Sequence, residues 1–533
     1  MLLMAVAKRK PLSFNTTLRN PERIAGFLSV LCNYEGKILT NEVIEDICCE
    51  VLIEKLYVPN SVKSNEEWAN IYNSYSQKYT KQQALDIMEA SPQKHKEAGF
   101  DHGWPSRFDT WYKLIMEFGL CYYEIDSPIE ISPLGKDLVA AYKAEPIDDD
   151  AIQNVFLNAM AKFQTSTPFR KNANQNVPLL LLLKVINLLK CDEEENGAGI
   201  FRKEISFFLC WPNNDAEELY QFIKKFRANY GYNYSDEVIY EKCLELFLDE
   251  NHTSIDSLMN YIKMSKLLVE STDEYIRKMR ITGVVSLRGN GRFLDFNTLE
   301  MDKINYLISN YGDCVEYEDK HEFYNFLQEK DDKLFKVEEV VVDDLTMLKQ
   351  NALNKYANEY SEEKIIKELE QTYRGSTSDE MLKFIDAPAR LEFLSAVALV
   401  KYFDGINVVP NYSVDDEGLP RFTARGGMAD IECHRDGCYG LLEVTLMTGA
   451  ANQTEHEMTS ISDHLKDATE NSSEYTMAVF VAPILQERAL DYMEYMNDRK
   501  LRNDKSAGIV AMKICDMIPK FKEANRLQDL AAV

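Results

Sequence analysis

From residue 380 onward the chain alternates between two hydrophobic periods. Residues 386–402 carry apolar side chains at helical spacing. Short apolar runs follow: INVVP at 406–410, MADIEC at 428–433 and YGLLEVTLM at 439–447. Helical spacing returns at 453–468, then a strand-like run, YTMAVFVAP, then helical spacing at 484–499 and a last run, GIVAMKI. This α–β–β–β–α–β order predicts an α/β unit with a mixed sheet. Between MADIEC and YGLLEVTLM stands His434-Arg435-Asp436-Gly437. Its Asp-Gly pair is a strong hairpin signal.

The first 330 residues read as mainly helical with short strands. Residues 106–124 have helical spacing that gives way to the short runs CYYEI and IEISP. The run 177–190, VPLLLLLKVINLLK, is too short to span a bilayer and contains Lys184, so it predicts a buried core helix. Next come FRKEISFFLCW, a helix start at 212–218, the helix YQFIKKFRANYG, and the alternating segment 279–296 with Asn290-Gly291 at its tip. Helix followed by hairpin, twice, suggests two winged-helix-like modules. Residues 300–385 are charge-rich and helical, without a strand pattern, and Ser378 is placed to cap a helix. The expected class is therefore a multidomain α+β protein with a mainly helical N-terminal half. The expected divisions are 1–150 and 151–300, each a helix-and-hairpin module, a helical linker at 301–380 and an α/β domain at 381–533.

Two acids interrupt the apolar runs that flank the hairpin turn: Asp430 and, thirteen residues on, Glu443. A charge in a buried strand is costly unless paired or metal-bound. Folding the hairpin brings both carboxylates to one end and face of a sheet, where they repel unless a cation lies between them. Oxygen ligands without a Cys or His set favour Mg2+ over zinc. Cys433 and Cys438 flank the turn without a second ligand pair, and both read as structural. An acidic pair on adjacent strands that holds Mg2+ against a phosphodiester is the core of a PD-(D/E)XK nuclease site.

Composition narrows the picture. The 533 residues are 45% apolar, enough for several cores, and the eleven cysteines show no repeating pattern, which reads as reduced thiols in a cytoplasmic protein. The N-terminus has its apolar run before its charges, the reverse of a signal peptide, and no membrane segment is expected. A net charge of −27 excludes generic nucleic-acid affinity. Residues 277–294 nevertheless carry Arg277, Lys278, Arg280, Arg288 and Arg292 and no acid. A local basic patch on an acidic chain suits binding at one DNA site.

Three segments then carry a resemblance: Lys10 to Arg23, FRKEISFFLCWPNND, and PNYSVDDEGLPRFTARGGMADIEC with LLEVTLMTG. They resemble the AlwI-like type IIS restriction endonucleases, which include strand-specific nickases. The resemblance implies a Mg2+-dependent enzyme that binds a short asymmetric site in double-stranded DNA and hydrolyses phosphodiesters a few nucleotides outside it. It implies metal ligation by Asp430, Glu443, the Val444 carbonyl and the helical Glu392, with Glu457 and His464 assisting on the following helix. Arg19 and Arg23 join the DNA-contact candidates, and the resemblance implies that 1–150 and 151–300 are DNA-recognition subdomains. Thr445 stands where the general nuclease pattern has lysine. A cognate methyltransferase is implied, as is a transient homodimer or second nuclease subunit for double-strand cleavage. Nickase, large subunit of a heterodimer, catalytically silent specificity protein and structure-specific nuclease remain alternatives at this stage.

Overall fold

The computed structural model describes residues 9–531 except 15–17, 19, 75–76, 95, 196, 198, 249–253 and 337–341. The chain divides into two units. One holds residues 1–57, 81–144 and 148–338; the other holds 58–80, 145–147 and 339–533.

In the first unit, helices α1 (Arg23–Cys32), α2 (Asn41–Ile53) and α3 (Trp104–Glu117) precede the paired strands β1 (Cys121–Tyr122) and β2 (Glu130–Ile131). Ile38, between α1 and α2, bridges Pro128, which adds a third extended segment beside the β1–β2 hairpin. A second group repeats this order. Helix α4 (Pro178–Cys191) leads to β3 (Ile200–Phe201), α5 (Ile205–Cys210) and α6 (Ala216–Tyr230). After further helices come α7 (Thr272–Arg280), β4 (Val285–Arg288) and β5 (Phe293–Phe296), and the sheet order is β3-β5-β4. α4 is the buried core helix its leucine run predicts, with Leu179, Leu180, Leu182 and Leu183 fully inaccessible. Pro178 sits in its first turn, where the missing N–H costs nothing. The unit closes with α8 (Met301–Asn310) and α9 (Lys320–Gln328).

The second unit is built on a five-stranded mixed sheet. Helices α10 (Val342–Glu359), α11 (Glu362–Tyr373) and α12 (Ala387–Tyr402) come first, then strands β6 (Asn407–Pro410), β7 (Tyr412–Val414), β8 (Pro420–Ala424), β9 (Ile431–Arg435) and β10 (Cys438–Val444). Helix α13 (Met458–Asn471), β11 (Tyr475–Ala482), α14 (Glu487–Met496), β12 (Ser506–Lys513) and α15 (Ile514–Glu523) complete it. The sheet order is β12-β11-β10-β9-β6, with β10, β11 and β12 parallel and β9 antiparallel to both its neighbours. β11 is apolar at almost every position because a central parallel strand is buried on both faces. Alternate residues enter two cores. Leu442, Val479 and Val481 join α10, α11, α12 and α15, whereas Leu441, Ala478 and Phe480 join α13 and α14.

The predicted turn forms as a two-residue hairpin, with Cys438 paired to Arg435. Asp436 and Gly437 have φ of 51° and 74°, the left-handed geometry that matches strand twist. The β7–β8 hairpin was not expected from the apolar pattern, nor was α15. The region read as a linker, 301–380, is shared between the units. α8 and α9 go with the first; in the second, Leu353, Tyr356, Ile365 and Leu369 of α10 and α11 pack into the core around α12. Charge-rich helices with one apolar stripe look alike in sequence whether they span domains or cover a core.

A fragment beginning at residue 342 is therefore expected to unfold cooperatively by circular dichroism, and one beginning at 381 is not. Loss of several fully buried large side chains costs more than about 5 kcal/mol. Equal melting of the two fragments would return α10 and α11 to a linker.

Candidate active site

The β9–β10 ladder ends with Leu442 opposite Ile431. One step further along the same register, Glu443 lies across from Asp430. The pair is cross-linked through backbone. The Val444 N–H donates to Asp430 Oδ2 at 2.7 Å, and the Asp430 N–H donates to Glu443 Oε2 at 3.3 Å. The Asp430 carbonyl accepts the Asn411 N–H at 2.9 Å, which ties this strand end to the loop before β7.

Three elements bring further groups to this end. From α12 comes Glu392, only 4% exposed, whose Oε2 accepts the Ala424 N–H at 3.0 Å. From α13 comes His464, whose Nδ1 lies 2.7 Å from Glu443 Oε1. Glu457 ends a single π turn, Gln453–Glu457, that leads into α13. Wide turns of this kind often mark functional positions. Thr445 Oγ1 accepts the Met447 N–H at 3.1 Å.

The electrostatics follow from this crowding. Asp430 is pushed well above the ordinary carboxylate range, first by burial, then by the negative fields of Glu443 and Glu392, with Glu457 adding to them. The Val444 N–H works the other way but does not win. Burial also raises Glu457, and Glu443 adds to it. His464 is raised chiefly by its hydrogen bond to Glu443. A cavity of about 280 Å3 opens beside the site, bordered by Gly427, Glu432, Tyr439 and His464. Cys433 and Cys438 are buried, and the Cys433 thiol donates to the Gly440 carbonyl.

The structure therefore brings together Glu392, Asp430, Glu443, Val444, Thr445, Glu457 and His464. Among the described residues, no group of three or more His, Cys, Asp or Glu side chains is arranged as it stands to hold a metal ion. The donor set still fits a hard divalent cation. The acids are mutually repelling oxygen donors, Glu392 and Glu443 buried and Asp430 and Glu457 half-buried, and their repulsion is what a cation relieves.

The basic candidates fare differently. Lys278 is fully buried, its ammonium donating to the Leu18 carbonyl at 2.9 Å, and burial lowers it to about 8. It is a core residue, not a surface contact, because it falls on the inner face of α7. Arg277 and Arg280 are half-buried on the same helix. Arg288 turns back on its own hairpin. It donates to the Phe296 carbonyl at 2.8 Å and lies 4.0 Å from Asp295, an acid one residue past the acid-free stretch. Arg292 is exposed at the tip. Arg23 is exposed, lies over the Phe27 ring and donates to the Leu56 carbonyl. Arg19 lies outside the described residues.

The sequence profile of the AlwI restriction endonuclease matches residues 116–331 and 324–518, most of the chain. The chain belongs to the AlwI restriction endonuclease family. It is a site-specific deoxyribonuclease. Every acid of the site lies inside the second matched segment. Among solved structures, this AlwI-family chain is similar to the small subunit of the heterodimeric restriction endonuclease R.BspD6I, at 17% identity over 32% of this chain and 87% of that one, with a TM-score of 0.26. It is also similar to restriction endonuclease FokI, at 9% identity over 99% and 96% of the two chains and a TM-score of 0.24. FokI bound to DNA gives 10%, 98% of both chains and 0.25. Likenesses this low place no residue. No curated protein matches the chain.

The crowding has a consequence for stability. A carboxyl whose pKa is raised on folding opposes folding wherever it would be ionised, so its cost is absent in acid and grows as pH rises through and above the usual carboxylate range. Asp430→Asn is expected to raise the melting temperature of the chelator-treated protein by a few degrees at neutral pH. The gain should shrink towards about pH 4. Differential scanning calorimetry across pH checks it; a destabilised neutral-pH variant would mean that the carboxylate is compensated as it stands.

Proposed function

We propose that this protein is a type IIS restriction endonuclease. Its first unit binds a short asymmetric site in double-stranded DNA; its second hydrolyses phosphodiesters a few nucleotides away, with Mg2+ as cofactor. The observation that carries this reading is the cross-strand pair Asp430 and Glu443, one step beyond the β9–β10 ladder and crowded by Glu392 and Glu457. Such a group has little use in a DNA-binding surface, where negative charge repels phosphate, and good use around a cation.

The division of labour is supported by the repeated topology of the first unit. Each of its two groups runs helix, extended segment, further helices and a hairpin, and the second has the strand order β3-β5-β4. That order suits a winged helix, in which a helix enters the major groove and the hairpin meets the flanking backbone.

Asp430, Glu443, the Val444 carbonyl and Glu392 are the residues that would hold the cation. Bound there, Mg2+ supplies positive charge to the phosphoryl oxygens and acidifies a bound water. The protein's own part is to orient and to handle protons. The Val444 N–H fixes one oxygen of Asp430, and the other would be available to a cation. His464 fixes Glu443 in the same manner, a role seen when imidazole groups support ligating carboxylates. Thr445 carries no positive charge, so it does not replace the missing lysine. Glu457, a half-buried acid with a raised pKa, is suited to take the proton of the attacking water as the bond to phosphorus forms and the sugar oxygen departs. One such site in one chain cuts one strand per engagement. Cutting both strands then takes a second copy, a second subunit or successive nicks.

Plasmid DNA incubated with Mg2+ should be cut at defined positions, and EDTA should prevent it. Asp430→Ala and Glu443→Ala are each expected to abolish cleavage while gel-shift affinity is unchanged or higher. Wild-type rates in either variant would move the site elsewhere. His464→Ala is expected to lower the rate about 10- to 100-fold, with part of the loss recovered at higher Mg2+, as for a residue that positions a ligand. A loss that Mg2+ does not relieve would instead give His464 a direct part in proton transfer.

A further inference from the structure

The basic segment around the β4–β5 hairpin is less available than its sequence promised, since Lys278 is buried and Arg288 is engaged by its own strand. Another basic surface exists in the same unit, formed by segments far apart in sequence. A cleft of about 340 Å3 lies between the strap 10–13, the loop 170–172 and the turn 261–267. Its charged lining is Lys10, Arg170, Lys171, Lys263 and Lys266, without one carboxylate. In a chain with 87 acids and 60 bases, a chance set of charged residues would contain more acids than bases.

The cleft is pre-organised. Asn172, itself buried, clamps the Lys10 backbone: its Nδ2 donates to the Lys10 carbonyl at 3.0 Å and its Oδ1 accepts the Lys10 N–H at 3.1 Å. Asn174 donates to the same carbonyl at 2.9 Å. Arg170 forks onto Glu117 at 2.9 and 2.6 Å and donates to the Ser13 carbonyl, so its charge is spent on joining loop to strap. Across the cleft the Tyr240 hydroxyl donates to the Ile262 carbonyl, fixing the turn that carries Lys263 and Lys266. Lys10, Lys171, Lys263 and Lys266 are all exposed. Leu12, Ile262 and Leu267 form an apolar floor, and Tyr261, 56% exposed, stands at the rim. Lysines held on fixed backbone around an apolar floor suit a polyanion with an apolar face between its charges, as the sugar–phosphate backbone has.

We propose that this cleft binds the backbone of duplex DNA, with Lys10, Lys171, Lys263 and Lys266 as phosphate contacts. The proposal rests on the reading that the first unit binds DNA, and adds the surface by which it does so. Phosphate contacts carry no sequence information but set register and supply salt-dependent affinity.

The test uses the full-length chain in EDTA and a labelled duplex of mixed sequence, titrated by anisotropy over a potassium chloride series. Two double variants probe the cleft: Lys263→Ala/Lys266→Ala and Lys10→Ala/Lys171→Ala. A third, Lys94→Ala/Lys96→Ala, removes two exposed lysines elsewhere in the same unit and changes net charge equally. Each cleft variant is expected to weaken binding about tenfold at moderate salt and to reduce the salt slope by about 1.8, as for two lost phosphate contacts. The control should stay near wild type. Because all six lysines are exposed, melting curves should match the wild type. If both cleft variants match the control while the wild type binds and, given Mg2+, cuts DNA, the cleft is overturned and the nuclease reading stands. A wild type that neither binds duplex nor cuts it overturns both.

Discussion

The second unit is organised around a repulsion. Asp430 and Glu443 face each other one step beyond the last pair of a two-stranded ladder, and Glu392 and Glu457 are close enough to raise Asp430 further. Carboxylates in such proximity cannot all stay ionised in a dry site without a compensating charge. What keeps them together is backbone. The Val444 N–H holds Asp430, the Ala424 N–H holds Glu392, and the sheet register fixes the facing of Glu443. His464 supplies the one imidazole contact, on Glu443. The cost is carried by two apolar cores, one on each side of the sheet. This is the pattern expected where function requires strain that packing must offset.

The chain's charge distribution follows the same logic at larger scale. A protein with a net charge of −27 gains little from general attraction to nucleic acid. Binding must then come from a few local cationic surfaces, which favours discrimination between one placement on DNA and others. The lysine cleft is the surface proposed for this; Arg292 at the hairpin tip and Arg23 are further exposed cations of the same unit. The end of the sheet that carries Asp430 and Glu443 is acidic by contrast.

Much of this was legible in sequence. The Asp-Gly turn sets the β9–β10 register, and register alone places Asp430 opposite Glu443, so two apolar runs and a turn were enough to find the pair. β11 announced itself by being apolar on both faces. Glu392 and His464 were not visible by themselves, because a lone acid or imidazole on a helix looks the same at the surface as in a site; family resemblance singled them out. The π turn at 453–457, which leads Glu457 into α13, has no period to read. Lys278 misled because a run of basic residues on a helix must put some of them on its inner face. The lysine cleft was illegible for a different reason: its cations come from segments about 90 to 160 residues apart and meet only through tertiary packing.

The most direct test of the central claim is a divalent-cation titration followed by thermal unfolding, without DNA. If the carboxylates are a cation site, Mg2+ binds the folded form and relieves their repulsion. A hundredfold excess over Kd then adds about 2.7 kcal/mol of stability. The account predicts a saturable rise in the wild-type melting temperature that is absent in Asp430→Asn/Glu443→Gln. No rise in the wild type, or an equal rise in the double variant, would contradict it by showing that Mg2+ does not act through these two acids.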